Sequence, residues 1–379
     1  MPAASRALIV GGGIGGLTAG IALRQQEISV DLVEIKKEWT VYGVGIMQPS
    51  NQLRALDKIG LARPCVEQGG SFPGWKAFDA NGRFLGDSPL SNAPAPAYPA
   101  VNGITRPLLH QLLSDSAING GVDVKLGVTV AASTEDFDHV EVTFTDGRRE
   151  RYDVVIGADG AHSQTRSRLF GSALRPQAIA QAVWRYNLPR PPEVAWGHTY
   201  FGPHSKVGLV PLSPTLMYLF VVTEEPLDAR YPVDALASLM RERLQGYGGL
   251  IAALREQIRD SAGVVYRPLE LLRVPAPWYV GRTILIGDAA HLTSPHLAQG
   301  ASMAIEDAVL LAELLGAHDH IPAAFDEFMR RRHERGLRVI DSSHQLALWE
   351  LAEWRGTPAP DADPIGLFKR ASQMLLEDY

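Results

Sequence analysis

Gly11-Gly12-Gly13-Ile14-Gly15-Gly16 has the spacing G-x-G-x-x-G. Glycine at the first of these positions permits a tight turn. At the second it lets the backbone approach a pyrophosphate, and at the third it lets a helix pack closely on a strand. A helix starting there directs free N–H groups and partial positive charge at the phosphates. The spacing is informative only in context, with a strand before it, a helix after it and an acid ending the next strand. Ala7-Leu8-Ile9-Val10 reads as the strand and Leu17 to Gln25 as the helix. Ser29-Val30-Asp31-Leu32-Val33-Glu34 reads as the second strand, closing on a carboxylate placed for ribose hydroxyls. An acid at Glu34 disfavours a 2′-phosphate, so the nucleotide is read as FAD or NAD rather than NADP. Gly246-Tyr247-Gly248-Gly249 has no strand leading into it and reads as a loop between helices, which leaves a single dinucleotide fingerprint.

Gly287-Asp288-Ala289-Ala290-His291 follows the short apolar run Thr283 to Ile286. A carboxylate at the end of a buried strand accepts hydrogen bonds from ligand hydroxyls or caps the next segment. A helix starting near Gly300-Ala301 offers a positive N-terminal end, worth up to ~2 kcal/mol to an anionic group placed beside it. His291 is read as a packed member of the motif and not as a catalytic base. Aromatic and polar residues that could line a pocket are Trp184, Arg185, His198, Tyr200, Tyr218 and Phe220 on the strands of a later segment. Strand alternation lets only about half of the strand residues face one side. Tyr218 shares a face with Phe220, and His198 with Tyr200.

The elements that position these residues follow from hydrophobic periodicity. The first strands and helix form a βαβ start, which implies a parallel sheet. Helices are expected from Asn51 to Ile59, ended by Gly60, and from Leu108 to Ser116. Val140, Val142 and Phe144 alternate toward Asp146-Gly147, a hairpin signal. Val154-Val155-Ile156 is another buried strand. The segment Gly69 to Ala100 reads as loops and short strands leaving the first domain. From Pro176 to Pro268 the pattern is that of an antiparallel sheet with helices at Ala235 to Leu244 and Leu250 to Ile258. Helices follow at Ala301 to Leu315 and over most of Ala323 to Trp354.

With 46% hydrophobic and 21% charged residues, the chain of 379 residues has a sizeable core. A net charge of -6 gives no reason to expect nucleic acid. No run of eighteen apolar residues is present, so no membrane span is expected. Cys65 is the single cysteine, which excludes an internal disulfide, a CxxC redox pair and a cysteine-rich metal site. No metal is expected, redox chemistry must come from a bound cofactor, and the low cysteine content fits the cytoplasm.

Three motifs, in order, resemble those of the single-component flavoprotein aromatic hydroxylases (class A flavin monooxygenases), close to the salicylate- and urate-hydroxylase branch. They are the glycine turn with Glu34; Asp153 through Asp159-Gly160-Ala161-His162-Ser163, with Arg166 beyond it; and Gly287-Asp288 through Pro295 to Gln299-Gly300-Ala301. Arg106, in Thr105-Arg106-Pro107-Leu108-Leu109, matches an arginine that contacts FAD in that family. The resemblance runs from about residue 6 to about residue 340. It implies an α/β fold with a Rossmann-type FAD-binding domain, an inserted antiparallel β-sheet substrate domain and a C-terminal helical tail. The expected boundaries are 1–75, 100–175 and 269–320 for FAD, 76–99 and 176–268 for substrate, and 321–379 for the tail.

The same resemblance implies FAD held without a covalent bond by Gly11, Gly13, Gly15, Gly16, Glu34, Arg106, Asp159, Gly160, Gly287, Asp288, Gly300 and Ala301. NADH or NADPH and O2 are the implied co-substrates, and a hydroperoxide at flavin C4a is the implied hydroxylating species on a small aromatic or heteroaromatic ring. Pro295 and His296 are candidate catalytic residues on the loop at the flavin face. Met47, Gln48, Arg185, His198, Tyr200, Tyr218 and Phe220 are candidate substrate contacts. A homodimer is admitted but not required. Two other functions fit the same motifs: an FAD-dependent dehydrogenase or reductase, and a flavin-binding protein that sequesters a ligand without turnover.

Overall fold

The computed structural model describes residues 2–41 and 43–379. Five parallel strands and one short antiparallel edge make the first sheet, in the spatial order Tyr279–Val280, Thr283–Leu285, Val154–Gly157, Arg6–Val10, Ser29–Glu34, Asp123–Leu126. The three central strands are almost wholly apolar and buried, as a parallel sheet covered on both faces requires. Helices Ile14–Gln25 and Gly300–Ala317 pack on one another beside it, and Leu17, Ile156 and Ile305 share its core. A three-stranded antiparallel sheet, Val130–Glu135, Val140–Phe144 and Arg149–Tyr152, covers the other face through Val142, Phe144 and Tyr152. The hairpin turn expected at Asp146-Gly147 is present, with Gly147 at φ +86°.

The chain leaves this domain twice. A seven-stranded sheet has the order Val265–Leu271, Gln177–Pro189, Leu216–Glu224, Ser205–Pro211, Gly197–Phe201, Gly74–Asp79, Phe84–Pro89. Every pairing in it is antiparallel except that of Gly197–Phe201 with Gly74–Asp79, where two separate excursions of the chain meet. One face carries Trp184, Tyr200, Val207, Leu209 and Leu219, packed under helices Leu236–Arg243 and Gly249–Arg255 through Met240 and Ile251. Full burial of each such apolar side chain stabilises the fold by about 1.5–3 kcal/mol. The other face looks toward the first domain.

A small sheet was not legible as a unit, although short strands were expected within Gly69 to Ala100 and a helical tail over 321–379. Gly45–Pro49, Val101–Thr105 and Gly70–Phe72 form a small antiparallel sheet between the domains. Its glycine content reads as loop, but the glycines are there for close approach: a Cβ on Gly103 would lie 1.8 Å from the Pro211 carbonyl oxygen. Pro364–Leu376 is a helix capped by Asp363, whose carboxylate accepts from the Gly366 N–H at 2.8 Å.

The longest helix, Ile321–Trp354, starts with proline in its first turn and is followed by Gly356 in the left-handed region at φ +72°. Its 34 residues span about 51 Å. Near one end Arg332 and Arg335 are buried against Glu306 and Asp307 of Gly300–Ala317. Near the other, Glu350 pairs with Lys206, Arg355 donates to Glu224 at 2.8 Å, and the Trp354 carbonyl lies 3.1 Å from His204 Nδ1. The helix is a strut fastened to both domains. Among the described residues no helix is long and apolar enough to cross a membrane.

Candidate functional site

Each glycine of the turn after Arg6–Val10 has its own reason. Gly11 has φ +110°, and a Cβ there would lie 2.5 Å from the Ala158 carbonyl oxygen. A Cβ on Gly16 would lie 2.0 Å from the Gly11 carbonyl oxygen, and one on Gly15 3.3 Å from Ala304. At Gly13 a Cβ would meet nothing within 4 Å, so the turn is crowded from below and open above, where phosphates would sit. Gly13 is also the N-cap of Ile14–Gln25 and supplies no side-chain cap, which leaves the first-turn N–H groups for a ligand. Glu34 accepts from the Gly12 N–H at 2.9 Å and the Lys36 N–H at 3.0 Å, so its carboxylate is fixed at the mouth of the turn. Two further residues hold this turn, and neither was anticipated. His110 Nε2 lies 3.0 Å from the Gly12 carbonyl oxygen, and Trp39 packs edge-on against His110 with ring centroids 4.9 Å apart.

Asp288 begins the short helix Asp288–His291 after Gly287, which has φ +60°. Its carboxylate makes no hydrogen bond among the described residues. Burial raises its pKa, against the opposing pull of His291 and Arg106. A Cβ on Gly300 would lie 4.0 Å from Asp288 Oδ1, so the acid sits beside the N-terminus of Gly300–Ala317. That N-terminus also lacks a side-chain cap. An unbonded carboxylate, an uncapped helix end and an open glycine turn are the donor and acceptor set that a ribityl chain, a ring carbonyl and a pyrophosphate need, so the residues present fit FAD.

His291 is buried and its Nε2 lies 2.5 Å from Asp307 Oδ2. Asp307 also accepts from the Gly287 N–H at 2.9 Å and from Arg332 Nε at 2.7 Å. Burial pushes the Asp307 carboxyl up, but His291, Arg332 and the Gly287 N–H together hold it well below the usual range. The histidine is thereby spent on fixing the Gly287 turn. Asp159 is similarly occupied: its carboxylate accepts from Ser163 Oγ at 2.5 Å and from the N–H and hydroxyl of Thr165 at 2.9 and 3.0 Å. Gly160 takes φ +76° in the same turn. Buried Arg166 ties this turn to the Asp288 segment by donating to the carbonyls of Ala161 at 2.8 Å and Ala289 at 3.1 Å.

The sheet face turned toward these groups is set by register. Arg185 lies directly opposite Phe220, and Phe220 opposite Gly208. A Cβ on Gly208 would lie 2.1 Å from the Phe220 ring, so glycine there makes room for it. In the next row Asn187, Tyr218 and Val210 are opposite one another. Tyr218 and Met47 share a cluster with Phe72, and a Cβ on Gly45 would lie 2.4 Å from the Tyr218 ring. Arg106 starts helix Arg106–Asn119, whose cap is Thr105 Oγ1 accepting from the Leu108 N–H at 3.4 Å. The guanidiniums of Arg106 and Arg185 make no side-chain hydrogen bond among the described residues. Burial lowers the Arg185 pKa to about 10, with Arg106 adding to the effect and Tyr218 opposing it. Burial likewise lowers Arg106, against Tyr218 and Asp288. Arg106, Arg185, Tyr218 and Asp288 therefore form one electrostatic group, with two cations and one carboxylate.

The structure does not bring His198, Tyr200 and Gln48 into that group. His198 and Tyr200 face Leu209 and Val207 on the helix-covered side of the sheet, and both contact Phe78. Burial lowers the His198 pKa to about 4. Gln48 alternates with Met47 and points into the core, where Asn102 Nδ2 donates to its Oε1 at 2.8 Å. Pro295 and His296 form a short turn between Asp288–His291 and Gly300–Ala317, with His296 Nδ1 2.8 Å from Ser294 Oγ.

A sequence model described as an FAD binding domain matches residues 4–343. The chain is 31% identical over 379 residues to 6-hydroxynicotinate 3-monooxygenase of Pseudomonas fluorescens, covering 91% of each chain. It is also 31% identical over 355 residues to the aurachin C monooxygenase/isomerase of Stigmatella aurantiaca, covering 91% of this chain and 90% of that one. The crystal structure of Klebsiella pneumoniae HpxO with FAD and uric acid superposes with a TM-score of 0.81 at 25% identity, over 98% of this chain and 93% of that one. The open glycine turn, the unbonded Asp288 and these matches agree, and the chain belongs to the FAD binding domain family, among the FAD-dependent monooxygenases.

Proposed function

We propose that the protein uses NADH or NADPH and O2 to hydroxylate a small aromatic or heteroaromatic ring bearing an anionic or phenolic group. The observation that carries this reading is Arg185, a guanidinium without a hydrogen-bond partner among the described residues, opposite Phe220 and grouped with Tyr218 and Asp288. A buried cation is costly unless it meets an anion or a strong acceptor. The apolar face of Phe220 and the Met47–Tyr218 cluster offer a ring its contact surface. A relative named for 6-hydroxynicotinate and a structural neighbour solved with uric acid, both ionisable heteroaromatic compounds, support the choice.

Residues 1–75, 100–175 and 269–320 are the FAD domain in this reading, 76–99 and 176–268 the substrate domain, and 321–379 the helical tail. Gly11, Gly13, Gly15 and Gly16 cradle the pyrophosphate and Glu34 takes the ribose. Arg106 and Asp288 hold the ribityl chain, and the N–H groups at Gly300 and Ala301 face the flavin ring. Asp159 and Gly160 shape the turn beside the nicotinamide path, and Gly287 lets the Asp288 segment turn. When bound, FAD supplies two-electron exchange with NAD(P)H and activation of O2. The chain's part is to orient the ring with Arg185, to hold it against Phe220, and to keep water out with the Pro295–His296 turn and the strut helix.

The test is a panel of hydroxylated aromatic acids, phenols and heteroaromatics screened for NAD(P)H consumption and hydroxylated product. Arg185→Gln should raise KM for an anionic substrate by about tenfold or more, since hydrogen bonds to charged groups contribute about 1.5–3 kcal/mol. A non-aromatic donor that bleaches the flavin anaerobically, with no ring compound stimulating NAD(P)H oxidation, would replace the hydroxylase by a dehydrogenase. Asp288→Ala tests the cofactor side. Loss of the carboxylate should weaken FAD binding by roughly tenfold or more, read by flavin fluorescence on titration of the apoprotein, and unchanged affinity would place the ribityl chain elsewhere.

A further inference from the structure

Three titratable side chains from three separate segments meet under the strut helix. Lys206 comes from strand Ser205–Pro211, Glu350 from the end of Ile321–Trp354, and His296 from the turn Pro295–Leu297. The Lys206 ammonium donates to Glu350 Oε1. Glu350 Oε2 lies 3.3 Å from His296 Nε2, an ion-pair distance without full hydrogen-bond alignment. On its other side the imidazole meets Ser294 Oγ at 2.8 Å. The His296 side chain is 1% exposed, while those of Glu350 and Lys206 are 20% and 16% exposed.

The chemistry of the two neighbours differs. An ionised carboxylate only accepts, whereas a serine hydroxyl donates or accepts. A carboxylate 3.3 Å from Nε2 favours a proton there over one on Nδ1, which is then free to accept from Ser294. Burial pushes the Glu350 carboxyl up, yet Lys206 and His296 hold it at about 2. Burial pushes the His296 imidazole down, with Glu350 opposing. At neutral pH the pair is thus a carboxylate and a neutral ring.

The place of the cluster matters as much. Lys206 stands opposite Val222, one cross-strand row from Gly208, Phe220 and Arg185. Val222, Leu351 and Trp354 share a core cluster on which Phe220 packs. The His296 turn is followed by Ala298 at φ +56°, a left-handed conformation unfavourable for alanine. Such a turn persists only where its contacts hold it.

We propose that Glu350, anchored by Lys206, is a positioning residue that fixes His296 as its Nε2–H tautomer and ties the turn before helix Gly300–Ala317 to the pocket face of the substrate sheet. The link runs from the cross-strand row beside Phe220 to the segment leading into the N-terminus of Gly300–Ala317. The inference rests on the reading of this turn as the flavin-facing one.

The test uses the FAD-loaded protein labelled with 15N-histidine, the His296 signal being identified by its loss in His296→Gln. The wild type should show a neutral Nε2–H imidazole. In the double variant Lys206→Met/Glu350→Met, which exchanges an ion pair for apolar groups of similar length and so preserves packing, the signal should move toward mixed tautomers. Amides of residues 293–300 should exchange with solvent roughly tenfold faster or more, with FAD affinity within about threefold of wild type. Glu350→Gln, which keeps an acceptor but loses the charge, should fall between the two. A folded double variant with an unchanged His296 spectrum and unchanged exchange would overturn the proposal. None of these readouts needs turnover, so their failure leaves the hydroxylase reading standing, and a protein without hydroxylase activity leaves the tautomer result standing.

Discussion

Replacing Arg332 by methionine is expected to lower the unfolding free energy by about 3 kcal/mol or more, because removing one partner of a buried ion pair strands the other charge. Arg332 donates to Asp307 at 2.7 Å and to Glu306 at 2.7 Å, and all three side chains are 0% exposed. Arg335 still serves Glu306 and His291 still serves Asp307, which keeps the loss from being larger. Urea denaturation at pH 7 measures it. The pH dependence has a definite sign. Burial raises both carboxyls, but the arginines hold Glu306 below its usual range, and His291 and Arg332 do the same for Asp307. A carboxyl depressed in the folded state contributes stability that is complete above its unfolded pKa and is lost as pH falls through the folded value. The acid limb of the stability profile, below about pH 4, should be shallower in Arg332→Met than in wild type. Parallel limbs would mean that the two acids do not depend on Arg332.

Flavin reduction is expected to be slow with NAD(P)H alone and about 100-fold faster with the correct ring compound present, a barrier lowering of about 2.7 kcal/mol. A single dinucleotide fingerprint leaves NAD(P)H without a Rossmann domain of its own, so it must dock transiently. Ligand binding shifts a conformational equilibrium only by its differential affinity for the two states. In the proposed reading the differential contact is Arg185, whose guanidinium has no side-chain hydrogen bond among the described residues and would gain a partner from an anionic ring. Anaerobic stopped-flow reduction gives the rate, and peroxide and product analysis in air gives the coupling. Analogues that fill the pocket but accept no hydroxyl should give H2O2 instead of product. An unchanged reduction rate with a substrate that is demonstrably hydroxylated would end the gating idea and leave the FAD assignment intact.

The parts of the site legible in the sequence are those set by local geometry. The glycine turn, Glu34, Gly287-Asp288 and the start of helix Gly300–Ala317 each lie within a few residues of the strand end that positions them. Strand alternation grouped Tyr218 with Phe220 and His198 with Tyr200, but periodicity alone does not say which pair faces the pocket. Only the register of Gly197–Phe201 against Ser205–Pro211 assigns His198 and Tyr200 to the helix-covered side. Met47 and Gln48 are adjacent and must face opposite ways, which separates one from the pocket for the same reason. Glu306-Asp307 carried a signal that could have been used: two adjacent acids in the middle of the largely apolar run from Ala301 to Leu315 call for buried cations, and Arg332 and Arg335, three residues apart in the tail, provide them on one helix face. Lys206, His296 and Glu350 had no such signal, because nothing local relates three positions so far apart in the chain.

The discontinuity of the first sheet has a consequence for synthesis. Strand Thr283–Leu285 completes the pairing of Val154–Gly157, and helix Gly300–Ala317 packs on Ile14–Gln25. At about 5–20 residues per second, the ribosome delivers that helix on the order of 15–60 s after the first strand. During that interval Ile14–Gln25 lacks its neighbour, and for about the last 6–25 s before Thr283–Leu285 is made the outer edge of Val154–Gly157 stays unpaired, an aggregation-prone state for a parallel sheet. In the proposed reading, retention of FAD by the early glycine turn awaits Asp288 and the N-terminus of Gly300–Ala317. Flavin capture therefore follows translation and selects the completed sheet by mass action. Cells short of FAD should accumulate less of this protein, and lose it to proteolysis of the late-closing edge rather than of the seven-stranded insert.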